Sequence, residues 1–188
     1  MATELGFSRL SNYILYNFQD TPEDFYERLR INIELNEELG TQIYSFPMKY
    51  IRNTDKDRSY VSPNWNQRYL RGIQCILNAT HGVVSPKKEF FMKAFGRNYN
   101  EFQRLITMPD NYIIYRDHFE NDGAKDWHAA YSVLSDAKRR RFEATVFNNK
   151  SPFADIRTGD HAVDGLLDHY VKAAKYVHVG TKRTKVHA

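Results

Sequence analysis

A strand–helix–strand run near the N-terminus constrains this 188-residue chain more than any other feature. Tyr13-Ile14-Leu15-Tyr16-Asn17-Phe18 joins β-branched, aromatic and aliphatic residues and reads as a buried strand. In Thr21-Pro22-Glu23-Asp24, Thr21 can cap a helix, Pro22 suits its first position and Asp24 can complete a capping box. The acids also complement the positive end of the helix dipole. The predicted helix runs to about Leu39, with Gly40 as a left-handed stop. Phe25, Leu29, Ile31, Ile33, Leu35 and Leu39 cover more than half of its circumference, which predicts packing on more than one side. Gln42-Ile43-Tyr44-Ser45-Phe46 reads as a second strand, ended by Pro47 because proline cannot donate to a central ladder. Short connections make this a βαβ unit with parallel strands and a right-handed crossover.

After Ile51 the character changes. Asn53 to Ser59 is polar and charged, a loop or domain boundary, and beyond it the signals are helical. Ser62-Pro63 opens a helix carrying Trp65, Tyr69, Leu70, Ile73, Ile76 and Leu77, and Ser85-Pro86 opens another that ends near Gly96. Further helices are predicted over 100–107, 110–120, 125–134, 135–147 and 160–175. The predicted fold class is an α/β fragment, one βαβ unit followed by a mainly α-helical extension, with helix in the majority. Its expected divisions are residues 1–52, 53–176 and a flexible basic tail over 177–188. Two strands alone leave both sheet edges open and cannot cover their own apolar faces. Either the later helices cover them or the missing strands lie outside this chain, and the second option fits better.

Composition removes several alternatives. A hydrophobic fraction of 41% with 13 Tyr and 12 Phe argues against disorder. A net charge of +4 is too small to imply nucleic acid by itself. The single cysteine, Cys75, rules out an internal disulfide framework and a cysteine-based zinc or iron–sulfur site within the chain. No apolar run approaches the length of a membrane span, and Met1–Phe7 lacks the marks of a signal peptide, so no membrane partner and a cytoplasmic location are expected.

The segment Tyr13 to Asp24 resembles the late strand-to-helix turn of radical SAM barrels, where an aliphatic strand meets a glycine-rich loop and a pair of acids opens a helix. Ile43 to Tyr50 resembles the next strand, which in that family often ends in a proline-containing loop. Together with 65–72 and 108–116, these segments look like a poorly characterised subgroup of radical SAM proteins, over roughly Glu4 to Phe147. The resemblance implies the late part of a partial TIM barrel, beginning just before its fifth strand, from a truncated frame, a separated fragment or half of a split enzyme. It also implies S-adenosylmethionine and a 4Fe-4S cluster as cofactors. The family's Cys-x-x-x-Cys-x-x-Cys motif, whose thiolates hold that cluster, is not in this sequence. The partner implied is therefore an N-terminal radical SAM portion or subunit, and the chain alone should be inactive. The substrate and the catalytic residues are unknown. Asn17-Phe18-Gln19-Asp20 replaces the usual glycines, which opposes close backbone approach of a cofactor there.

Ligands sit at the carboxyl ends of parallel strands. By resemblance, the cofactor-binding candidates are Tyr16, Asn17 and Phe18 on the first strand and Tyr44, Ser45, Phe46 and Met48 on the second. For each aromatic residue, ordinary strand packing is the competing reading. Asn17 is the sharper candidate, because a polar group ending an apolar strand needs a partner.

Other clusters read more simply. Asp160, Asp164 and Asp168, with His161 and His169, lie along one helix and form a solvated face without a second ligand-bearing element, so no metal site is expected. Lys138-Arg139-Arg140-Arg141 lacks interleaved aromatics and reads as an exposed turn more readily than a phosphate grip. His81 before Gly82 reads as a cap or surface residue, and Cys75 as a buried thiol. Two alternatives to the radical SAM portion stand: a non-catalytic helical accessory or binding protein, and, more weakly, a nucleic-acid-binding module.

Overall fold

The computed structural model describes residues 6–116, 123–149 and 151–183, with side chains described through residue 174. Two strands and eight α-helices are present among them: β1 (Arg9–Tyr16), α1 (Pro22–Leu39), β2 (Gln42–Lys49), α2 (Gln67–Ala79), α3 (Lys88–Phe95), α4 (Tyr99–Ile106), α5 (Asp110–Ile114), α6 (Gly123–Ser132), α7 (Asp136–Asn148) and α8 (His161–Arg183), with a 3-10 turn at Phe153–Asp155 before α8. The chain is majority helical, and it divides into two compact units, Met1–Ile106 and Thr107–Ala188. The polar stretch after Ile51 thus lies within the first unit. No described helix is long and apolar enough to cross a membrane.

In the first unit, β1 and β2 pair in parallel, Arg9 beside Gln42 through Tyr16 beside Lys49. The Thr21–Asp24 capping box forms, Pro22 opens α1, and Gly40 ends it at φ 62. The backbone N–H and the hydroxyl of Thr21 hold the Asp24 carboxyl below the usual carboxylate range. α1 buries Phe25, Tyr26, Leu29 and Ile33 against the sheet and against α3 and α4, whereas Ile31 and Leu39 stay exposed. Its apolar circumference is therefore only partly used. Phe25, Tyr26, Phe91, Phe95 and Phe102 form one aromatic core with ring centroids 5.5 to 6.4 Å apart along Phe25–Phe95, Phe25–Phe102, Tyr26–Phe91 and Tyr26–Phe102. Each fully buried ring of this kind contributes about 1.5 to 3 kcal/mol.

Two strand boundaries depart from expectation. β1 begins at Arg9, where pairing with Gln42 starts, and it ends before Phe18 because Asn17 turns left-handed at φ 68. β2 continues through Pro47 to Lys49. The N–H groups of Gln42 and Tyr50 reach the Ser8 and Tyr16 carbonyls, so even-numbered residues of β2 face β1. Position 47 faces the outer edge, where a missing N–H breaks no ladder bond. α2 starts at Gln67 behind an Asn66 cap whose side chain accepts from Tyr69 N, later than the Ser62-Pro63 signal suggests.

In the second unit, Trp127, Tyr131 and Phe142 pack together, and Phe153 stacks on Tyr170 at 3.9 Å. α8 runs on to Arg183, so residues 177–183 of the expected flexible tail are helical, while 184–188 lie outside the described residues. The expected helix over 110–120 ends at Ile114, and 117–122 lie outside the described residues.

His169 Nδ1 lies 3.1 Å from the Tyr112 hydroxyl. Burial, with Lys172 adding to it, holds the imidazole below its ordinary value, against opposing pulls from Asp126 and Asp168. The unfolded chain takes up this proton near pH 6.5 and the folded unit only at lower pH, so the contribution is complete above about 6.5 and declines as pH falls below it. His169→Asn should flatten the pH dependence of the second unit's urea midpoint as pH falls below about 6.5.

Candidate functional site

Side chains alternate across a strand, so the register sorts the sheet into two faces. Leu10, Asn12, Ile14 and Tyr16 of β1 share one face with Ile43, Ser45, Pro47 and Lys49 of β2. α1 packs against this sheet, and Ile14, Tyr16 and Ser45 are buried. The other face carries Arg9, Ser11, Tyr13 and Leu15 beside Gln42, Tyr44, Phe46 and Met48. Here Tyr13 is 75%, Leu15 45% and Met48 49% exposed, while Tyr44 and Phe46 are half-buried. Tyr13 and Phe46 hold each other at a ring distance of 5.9 Å. A parallel sheet ordinarily has both faces covered. Here the face opposite α1 leaves Tyr13, Leu15 and Met48 exposed.

The seven candidates divide accordingly. Tyr44, Phe46 and Met48 lie on the open face. Phe18, 42% exposed, sits at its carboxyl end with its ring 4.7 Å from Tyr50. Tyr50 in turn meets Tyr60 at 5.8 Å, and the Arg52 guanidinium lies 4.0 Å over the Tyr60 ring. Tyr16 turns to the helix side, packed on Phe25 and Trp65, and burial pushes its hydroxyl up to about 12. Ser45 also faces inward, where its hydroxyl accepts from Asn32 Nδ2 at 2.9 Å.

Asn17 is fully buried and its side chain is completely engaged. Nδ2 donates to the Tyr50 and Tyr60 carbonyls at 3.2 and 3.0 Å, and Oδ1 accepts from Ser62 N at 2.9 Å. The partner this asparagine needs is the backbone of its own fold. Beside it, the Asp20 carboxylate accepts from Phe18 N, Trp65 Nε1 and Arg28, which also donates to the Leu15 carbonyl. These contacts lock the carboxyl end of β1 to α1 and the start of α2. Tyr13 and Leu15, read from the sequence as parts of a buried strand, belong to the open face. Their parity with Phe46 in a parallel register is the signal that finds them.

No family model, curated protein or solved structure matches this chain. No group of three His, Cys, Asp or Glu residues among those described can hold a metal ion. Cys75, the one thiol, is buried in α2. The described residues therefore do not fit an iron–sulfur cluster. Of the aromatic and thioether candidates, Phe18 and Met48 lie at the carboxyl ends of the strands, Phe46 is mid-strand and Tyr44 is near the amino end of β2.

The remaining clusters are occupied structurally. Asp164 accepts from Thr158 N, Thr158 Oγ1 and Gly159 N, Asp160 pairs with Lys138 at 3.0 Å, and Asp168 pairs with Arg157 at 3.2 Å. In the basic run, Lys138 is held by Asp160, Arg139 by Asp136 and the Tyr131 ring, and Arg141 by the Thr158 carbonyl. His81 sits at φ 53 in the exposed turn after α2.

Proposed function

We propose that this chain is the C-terminal portion of a radical SAM enzyme, completed by an N-terminal portion that supplies the cluster-binding cysteines and covers the open sheet face. The observation that carries this is the parallel β1–α1–β2 unit with α1 on one face and, on the other, Tyr13, Leu15 and Met48 exposed beside the half-buried Tyr44 and Phe46. In a barrel, the face away from the helices is the lumen, where side chains of neighbouring strands interlock or meet a ligand. Phe18, Tyr44, Phe46 and Met48 then line the S-adenosylmethionine or substrate space, excluding water and stacking on the adenine. Tyr16, Ser45 and Asn17 hold the scaffold. The absent cluster ligands are the partner's contribution, and no step of the chemistry runs through Cys75.

The test is anaerobic reconstitution with iron and sulfide. The chain alone should develop no stable cluster absorbance. Co-expression with a polypeptide bearing Cys-x-x-x-Cys-x-x-Cys, encoded in frame or in a neighbouring frame upstream, should give a complex that does. A stable cluster on this chain alone, or no complex with such a polypeptide, contradicts the proposal.

A further inference from the structure

The two edges of the sheet are finished differently. On β2, three successive outward positions are closed. Ile43 donates its N–H to Asn36 Oδ1 at 2.6 Å and accepts from Asn36 Nδ2 at 3.3 Å. Ser45 exchanges both backbone hydrogen bonds with Val84, at 3.1 and 2.9 Å. Pro47 has no N–H to offer. On β1 the outward groups belong to Arg9, Ser11, Tyr13 and Leu15, because the Ser8 and Tyr16 carbonyls already face β2. The Leu15 carbonyl accepts from Arg28 at 2.7 Å. The outward N–H and C=O groups of Arg9, Ser11 and Tyr13 meet no partner among the described residues. Open edges invite pairing with another chain, and proteins ordinarily blunt them. Among the described residues the β2 edge is closed at three successive positions and the β1 edge only at the Leu15 carbonyl.

We propose that the β1 edge, and not the β2 edge, accepts an extended strand of a partner polypeptide. It runs parallel to β1, with apolar side chains at alternate positions and a carboxylate near its N-terminal end. The proposal rests on the preceding one for the existence of a completing partner, and adds where that partner joins and what its strand carries. A parallel neighbour keeps its crossover on the helical side, where α1 already lies. Its alternate side chains stand beside Tyr13 and Leu15 and continue the apolar face. Arg9 is the only charged residue among the eight positions of that face and is exposed at the amino end of β1, so a carboxylate there is electrostatically matched.

The experiment follows amide exchange in the isotopically labelled full chain with a synthetic peptide of about eight residues, the length of an ordinary strand, one glutamate followed by alternating valine and threonine. Exchange at Ser11 and Tyr13 should slow by about tenfold at saturation, with Ile43 and Ser45 unchanged. The same peptide N-methylated on the residues facing β1 should have no effect. Arg9→Glu should weaken binding by up to about fivefold. Slowing at β2, slowing at neither edge, or the same slowing without peptide as protein concentration rises (a second copy on the edge) overturns the proposal. The readout needs no cluster. Edge protection without cluster assembly sinks the preceding proposal alone, and cluster assembly without edge protection sinks this one alone.

Discussion

Replacing Asn17 by alanine is expected to lower the unfolding free energy of the first unit by about 3 to 5 kcal/mol, because it strands several buried backbone groups at once. The Tyr50 and Tyr60 carbonyls lose their donor and Ser62 N loses its acceptor. Alanine must also hold the left-handed backbone at φ 68, which adds about 1 kcal/mol. Asn17→Gly keeps that backbone without strain but makes none of the bonds, so its loss should be smaller than alanine's by about the same 1 kcal/mol. Trp65 lies in the first unit and Trp127 in the second, so urea unfolding followed by Trp65 fluorescence in a Trp127→Phe background reads the first unit alone. A change within about 0.5 kcal/mol, the size seen for ordinary surface substitutions, would remove Asn17 from the scaffold and return it to the ligand candidates.

Gly96→Ala is expected to cost about 3 kcal/mol, combining a glycine-only backbone with an unyielding contact. Gly96 closes α3 at φ 89 and ψ 163, with its N–H on the Met92 carbonyl. A Cβ there would stand 2.8 Å from Glu101 Cβ and 2.9 Å from Phe102 N, and the second of these is backbone. The Gly96 carbonyl also accepts from the buried Tyr26 hydroxyl at 3.1 Å, so a shift of the turn reaches the aromatic core. Gly40→Ala is the control. Its φ of 62 is also left-handed, but nothing lies within 4 Å of a Cβ, and its loss should stay near 1 kcal/mol. Calorimetric unfolding of the two variants separates the contact from the backbone term. Equal losses would mean that the α3–α4 turn yields to the methyl group.

Local signals carried most of the architecture. Thr21, Pro22 and Asp24 announce the start of α1, Gly40 its end and Gly96 the end of α3, because capping chemistry is written within a few residues. The strand limits were less legible. Whether Pro47 ends a strand depends on which way its missing N–H points, and that is set by pairing with β1 and not by its neighbours in sequence. The same dependence hid the division of the site. Tyr16 and Phe18, two residues apart, go to the core and to solvent because Asn17 turns the chain between them. The partners of Asn17 are 33 to 45 residues away, so its structural role could not be read locally. Val84 closing the β2 edge had no strand signal of its own, being a single antiparallel bridge.

Tyr13 is 75% and Met48 49% exposed, on the face that the proposed partner covers. The direct measurement is co-purification of this chain with the cysteine-bearing polypeptide, comparing the double variant Tyr13→Asp, Met48→Asp with Val133→Asp, an 82% exposed position in the second unit. Retention by the Val133 variant and loss of the complex in the double variant, with its unfolding midpoint preserved, is the predicted result. Undiminished complex formation by the double variant would contradict a role for this face in joining a partner.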